Sequence, residues 1–179
     1  MGDLGPEVTV ERAVPADAEG IVGVLAAVGA EGRYIANEGP IWSAEQQRQV
    51  ILQADPHLQL ILVVRAGSQV VGTLEMIRGA WHKNRHTATF GMALLPAWRG
   101  RRLGERLVRE AEAWASAEGI AKISLAVFAS NQPALRLYHR LGYQEEGRRY
   151  RQYRIDDQWV DEIWMAKWAP FRSPESSSP

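Results

Sequence analysis

The stretch GMALLPAWRGRRLGERL, residues 91–107, decides the fold prediction. It begins as an apolar strand, stops at Pro96, continues as a loop rich in arginine and glycine, and then becomes a helix. The helix is predicted because apolar residues recur at spacings of three and four, with Arg and Glu between them. They are Leu103, Leu107, Val108, Ala111 and Trp114.

The loop before this helix has the chemistry of an anion site. Gly100 and Gly104 allow a ligand to approach the backbone, and a helix N-terminus adds unpaired N–H groups and partial positive charge. The stretch therefore suits a pyrophosphate. We expect a bulky side chain at position 104 to point toward the phosphates. A plain connection carrying a solvated arginine cluster is the alternative interpretation.

A second stretch, VFASNQPALRLYHRLGY at residues 127–143, predicts a strand followed by a helix that Gly142 ends. Tyr138 lies seven residues after Asn131, about two helical turns, so both can face the same side. Asn131 is equally suited to cap the helix, and Tyr138 on its own could be an ordinary core residue.

Together the two stretches resemble the GNAT superfamily of acetyl-CoA-dependent N-acetyltransferases. The chain has Arg102 where the family usually has glycine. The resemblance implies one domain over residues 1–170, and we expect a disordered tail at 171–179. The fold class expected is α/β, a mixed, mostly antiparallel seven-stranded sheet with helices on both faces; helices interleaved with strands also favour it.

The resemblance also implies roles for residues. Main-chain N–H groups of the loop would hold the pyrophosphate, and Asn131 would contact the cofactor. The strand with Met92, Ala93 and Leu94 would splay from strand 122–127, admit the pantetheine arm and bind the acetyl carbonyl. Tyr138 would protonate the leaving sulfur. The loop residues are Arg99, Gly100, Arg101, Arg102, Leu103 and Gly104.

A general base is needed because an alkyl amine with a pKa of about 10.4 is mostly protonated at neutral pH. Glu75 is the preferred candidate, and Glu38 and Asp161 are alternatives. Asp161 and Glu162 are adjacent on a predicted strand, so at most one of them faces the core or cleft.

Further elements complete the prediction. Strands are expected at 8–12, 58–65, 70–78, 122–128, 143–155 and 159–168, with a hairpin turn at 66–69. One helix opens at 15–17, and a second starts from a capping box at Ser43.

Composition excludes several classes of protein. The chain has 179 residues, 46% hydrophobic, with zero formal net charge and no cysteine. Without cysteine there is no disulfide framework, thiol catalysis or thiolate metal site. The four histidines lack metal-ligand spacing, so no metal is expected. The N-terminus does not read as a signal peptide and no run is long enough to span a membrane, so we expect a cytoplasmic location and no membrane partner.

The function predicted is acetyl transfer from acetyl-CoA to a primary amine: a small amine, an amino acid or a protein N-terminus. The resemblance implies a substrate wall formed by Arg33, Tyr34, Glu38, Trp42 and residues 150–164. The tryptophan-rich last hairpin suggests a possible homodimer. One alternative is a non-catalytic module that binds CoA or an amine. Another is a nucleic-acid-binding loop of five arginines, which the zero net charge disfavours.

Overall fold

The computed structural model describes residues 7–39 and 42–171. Within them lie seven strands and four α-helices. The strands are β1 (Val8–Arg12), β2 (Gln59–Ala66), β3 (Gln69–Arg78), β4 (Thr87–Leu94), β5 (Lys122–Phe128), β6 (Gln144–Ile155) and β7 (Gln158–Trp168). The helices are α1 (Ala18–Gly29), α2 (Ala44–Gln53), α3 (Leu103–Ala117) and α4 (Gln132–Arg140).

All seven strands belong to one sheet with the order β1-β2-β3-β4-β5-β7-β6. Every neighbouring pair is antiparallel except β4 and β5, which are parallel and joined through α3. A parallel pair needs such a crossover, whereas antiparallel neighbours can be joined by tight turns. The predicted fold class is confirmed.

Two hydrophobic clusters lie on opposite faces of the sheet. The larger one joins α3 and α4 to side chains from β2, β3, β4, β5 and β7. The smaller one places Ile21, Val24 and Val28 of α1 against Ile61, Val63, Val70 and Ala93. Alternate residues of a strand point to opposite faces, so Ala93 contacts α1 while its neighbours Met92 and Leu94 contact the larger cluster.

Helix α3 shows why the opening stretch was informative. All five apolar residues predicted for its inner face are buried. Burial of a Leu or Val side chain stabilises a fold by roughly 1.5–3 kcal/mol, so this stripe fixes α3 on the sheet. The helix begins at Leu103, directly after the arginine–glycine loop.

Small differences from the prediction have local causes. Proline at the first position starts one-turn 3₁₀ helices at Pro15–Asp17 and Pro96–Trp98. The hairpin turn at 66–69 is shorter than predicted, because both end residues pair within β2 and β3. Asp156 and Asp157 alone join β6 to β7, and both have positive φ, as a two-residue hairpin turn requires.

Residues 172–179 of the predicted tail lie outside the described residues. Phe171 is described and packs, partly buried, against the larger cluster. In the part of the chain that the structure describes, none of the helices is both long and apolar enough to cross a membrane.

Candidate active site

The central feature is a fork between β4 and β5. The two strands pair at Thr87–Lys122, Ala88–Ile123 and Thr89–Ser124, and then the pairing stops. Residues 90–94 of β4 and 125–128 of β5 therefore border a gap, which we call the fork. Both strands run toward it, because they are parallel. This opening is the splay that the resemblance implied.

Backbone groups of β4 point into the fork. The N–H of Leu95 donates to the carbonyl of Val71 at 2.9 Å, so the odd-numbered residues of β4 direct their backbone polar groups toward β3. Successive residues of an antiparallel strand point their N–H and C=O groups in opposite directions. Met92 and Leu94 therefore direct their N–H groups away from β3 and into the gap. These N–H groups are suited to bind a carbonyl oxygen there.

The N-terminus of α3 opens toward the same end of the sheet. Its N-cap residue, Arg102, is in the left-handed conformation (φ 59°), and no side chain caps the helix. Gly100 also has positive φ, 73°. The first N–H groups of an α-helix have no partner within the helix. The loop therefore presents main-chain donors and the positive end of α3, as an anion site requires.

Gly104 has a different role from the one expected. A Cβ at this position would lie 3.2 Å from Leu137 Cδ2 and 3.4 Å from Met92 Cε. The missing side chain therefore faces the contact between α3, α4 and β4, and not the phosphate side of the loop. Gly104 allows α3 to pack closely on the fork, and the expectation for a bulky side chain at position 104 was wrong in direction.

Arg99 is held by other parts of the protein. Its Nη1 donates to Glu31 Oε2 at 2.8 Å, Nη2 donates to the other oxygen, and Nε donates to the carbonyl of Leu94 at 3.0 Å. The guanidinium also lies 4.5 Å from the ring centre of Tyr34. The hydrogen bonds from Arg99 lower the pKa of Glu31. Arg99 thus ties the end of α1 to the loop, with its guanidinium directed at Glu31.

Helix α4 begins differently from α3. Asn131 accepts a hydrogen bond from the N–H of Ala134 at 3.3 Å, so its side-chain oxygen serves as the helix cap. The capping interpretation is therefore the one the geometry favours for Asn131.

Tyr138 lies at the root of the fork. It is 6% exposed, and its ring contacts Phe90 of β4 and Tyr143, each edge-on at 5.9 Å between centroids. Phe90 follows the last paired residue of β4. Burial raises the pKa of the Tyr138 phenol, so the hydroxyl remains protonated at neutral pH.

The three candidate bases have different surroundings. Glu75 of β3 is half-buried, pairs in register with Gly91 and accepts a hydrogen bond from Gln59 Nε2. Asp161 accepts from Arg151 N at 2.7 Å and Arg148 Nε at 2.8 Å, and these bonds lower its pKa. That makes Asp161 a poor base. Glu38 is exposed in the loop before α2.

The sequence did not identify a cluster around Glu162. This carboxylate is 6% exposed and accepts from Arg149 Nη1 at 3.1 Å, Tyr153 Oη at 2.9 Å and Trp164 Nε1 at 2.9 Å. The alternation on the strand required only that Asp161 and Glu162 face opposite sides. It could not show that β6 supplies two of the donors. The cluster fixes the Trp164 ring.

The predicted substrate wall is only partly assembled. Tyr34 stacks on Arg99, whereas Trp42 and Tyr150 are 44% and 77% exposed.

Comparison with known proteins agrees with this geometry. A model of the Acetyltransferase (GNAT) family matches residues 30–143, which include the fork, the loop and α4. The L-amino acid N-acetyltransferase AaaT of Escherichia coli is 28% identical over 110 residues, 59% of this chain and 66% of that relative. The match thus spans just under two thirds of that relative's length.

Two solved structures share the fold. The GNAT-family acetyltransferase of Streptococcus pneumoniae has a TM-score of 0.84 and 26% identity, covering 90% of this chain and 99% of that one. The phosphinothricin acetyltransferase of Sinorhizobium meliloti, solved in complex with acetyl-CoA, has a TM-score of 0.81 at 18% identity. It covers 90% of this chain and 88% of that one.

Proposed function

Because this chain belongs to the GNAT acetyltransferase family, we propose that it transfers the acetyl group of acetyl-CoA to a primary amine. The observation that carries the proposal is the fork, with the N–H groups of Met92 and Leu94 directed into it and the uncapped start of α3 beside it.

The chain's own groups would hold the two ends of the cosubstrate. Main-chain N–H groups of residues 99–104 would bind the pyrophosphate, with Gly100 and Arg102 giving the turn its positive φ values. The pantetheine arm would lie in the fork between β4 and β5. When bound, acetyl-CoA supplies an activated acetyl thioester.

Transfer requires one bond to form and one to break. The amine nitrogen attacks the acetyl carbonyl carbon, and the C–S bond breaks. The N–H groups of Met92 and Leu94 would stabilise the negative charge that develops on the carbonyl oxygen. Tyr138 would give its proton to the departing thiolate, and the proton that the attacking nitrogen loses on forming the amide would restore the phenol.

The attacking amine must first be neutral. Glu75 would take its proton, directly or through water, because Glu75 pairs in register with Gly91 of β4, the strand that borders the fork. The acceptor proposed is a small amine, an amino acid or a protein N-terminus. The name of the Escherichia coli relative favours the amino acid.

The test is release of free CoA thiol in an amine panel, together with calorimetric titration of acetyl-CoA. Binding with amine-dependent thiol release supports the transferase. Binding without release from any amine favours the alternative, a non-catalytic CoA-binding module. Absence of acetyl-CoA binding refutes both.

A homodimer through the last hairpin is a further part of the proposal. Tyr150 and Trp159 are 77% and 59% exposed on β6 and β7, and β6 is an edge strand. Light scattering at micromolar concentration should give about twice the 20.0 kDa chain mass. A mass near that of one chain would refute the dimer.

A further inference from the structure

The open face of the central strands is the feature that carries a further inference. Thr89, Gly91 and Ala126 are exposed and Ser124 is half-buried, although β4 and β5 lie in the middle of the sheet. A Cβ at Gly91 would meet no atom within 4 Å. These four small residues therefore form an accessible floor, which we call the trough, on the face opposite α3 and α4.

Strand register gives the trough its walls. One row across the sheet contains Ile77, Thr89 and Ser124. Two residues farther along the strands, the second row consists of the pair Glu75–Gly91 on one side of the gap and the pair Ala126–Trp164 on the other. The rows lie roughly 6–7 Å apart, two residues along a strand. The floor is therefore bordered by β3 side chains on one side and by Trp164 of β7 on the other.

The trough leads directly to the fork. Its first row includes Thr89 and Ser124, the last parallel pair, and its second row straddles the gap beyond them. Gly91 in the second row is adjacent to Met92, whose N–H points into the fork. A molecule lying in the trough thus has one end beside the proposed position of the thioester.

The walls have a definite chemistry. Ile77 is 52% exposed, and Trp164 is fixed by its bond to Glu162 and by Arg149, 5.1 Å over its ring. At the fork end stands Glu75, for which the described residues provide an amide partner, Gln59, but no ion pair. The trough is therefore apolar along its sides and acidic at its inner end.

We propose that the trough binds the acceptor, and that the acceptor is a primary amine with an aromatic or extended apolar body. This inference rests on the proposed function. The ammonium group lies beside Glu75, and the body extends from Gly91 over Thr89 and Ser124, with Trp164 beside the inner row and Ile77 beside the outer row. A short amine would leave the outer row empty and bind more weakly, because it buries less apolar surface.

The test compares phenethylamine with ethylamine by calorimetry, using the full chain saturated with CoA so that no transfer occurs. We expect phenethylamine to bind at least about tenfold more tightly. Ser124→Leu fills the outer row and should reduce this preference to less than about threefold. Ser116→Leu, the same change at an exposed site on α3, is the matched control and should retain the preference.

Three results would overturn the proposal: equal affinities for the two amines, a preference that survives Ser124→Leu, or a parent dimer that Ser124→Leu converts to monomer. The last would mean that a second copy of the chain covers the trough. If Ser124→Leu does not fold, Ile77→Ala removes a wall instead and should lower the preference severalfold.

The same titrations separate the two proposals. Preferential binding of phenethylamine, with no thiol release from any amine of the panel when acetyl-CoA replaces CoA, supports an amine site in the trough and refutes the transferase. Thiol release from both amines at equal affinity supports the transferase and refutes the trough.

Discussion

Helices α3 and α4 each follow one of the two parallel strands of the fork, yet their N-termini differ. At α3 the N-cap is Arg102 in the left-handed conformation, and no side chain covers the first N–H groups. At α4, Asn131 binds the N–H of Ala134, and Pro133 removes another donor from the first turn. The α3 end is open to an anion and the α4 end is closed.

Under the proposed function, this difference divides two tasks between two similar connections. Helix α3 offers main-chain donors, which need an uncapped turn. Helix α4 offers a side chain, Tyr138, whose placement needs a helix that begins at a fixed residue. Capping by Asn131 supplies that fixed start, since an N-cap contributes about 1 kcal/mol to helix stability.

The largest effect is expected from the α4 side of the comparison. Tyr138→Phe keeps the ring contacts with Phe90 and Tyr143 and removes only the hydroxyl. We expect kcat to fall about a hundredfold or more, with acetyl-CoA affinity and Tm nearly unchanged. Assays of thiol release would measure kcat, and calorimetric titration and thermal melting would measure the affinity and the Tm.

Two outcomes would contradict that role. Equal turnover would make Tyr138 a packing residue. A lower Tm without a selective loss of rate would mean that the hydroxyl makes a structural hydrogen bond.

The second prediction concerns how α3 sits on the fork. Gly104→Val places methyl groups against Leu137 and Met92, where a Cβ alone is already at 3.2–3.4 Å. Overpacking of this kind typically costs about 1–3 kcal/mol, so urea denaturation should show a loss in that range. Acetyl-CoA binding should weaken because the helix shifts. Unchanged stability together with weaker acetyl-CoA binding would mean that the valine side chain points toward the phosphates.

These sites also show what the sequence could and could not reveal. The inner face of α3 was predictable because Leu107, Val108 and Ala111 repeat at the helical period. The direction of Gly104 was not, because a glycine has no side chain whose pattern reveals a face. The partner of Arg99 was equally hidden: Glu31 is 68 residues away, and only the packing of α1 on β4 brings it near.

The third prediction tests the two N-termini directly through a pair of variants with opposite effects on stability. Asn131→Ala removes the α4 cap and should lower the free energy of unfolding by about 1 kcal/mol. Arg102→Gly removes the strain of the left-handed backbone at α3 and should raise the free energy of unfolding by roughly 0.5–1 kcal/mol. The gain is smaller than the strain removed, because glycine gives the unfolded chain more conformational entropy. Denaturation curves of both variants, each with and without acetyl-CoA, would measure this.

Acetyl-CoA affinity then sharpens the comparison. Arg102→Glu places a negative charge at the open end and should raise the Kd more than Asn131→Ala does. A larger rise from Asn131→Ala would locate the cofactor contact at α4, as the resemblance implied for Asn131.

The smallest effect concerns the Arg99–Glu31 ion pair, which holds the loop before α3 to the end of α1. Hydrogen bonds from Arg99 lower the pKa of Glu31 below 4.5. A carboxylate with a lowered folded-state pKa stabilises the fold above its unfolded pKa, and this contribution is lost as the pH falls through the lowered value. Glu31→Gln should therefore cost up to about 1 kcal/mol near pH 7, because the pair is partly exposed. The difference from the parent should shrink as the pH drops below about 4.5.

Urea denaturation at several pH values would measure this difference, with Glu19→Gln on the exposed side of α1 as the matched control. If the loss of stability seen at neutral pH persists unchanged in acid, the pair stabilises the protein through packing and the contact with Tyr34, and its charge contributes nothing.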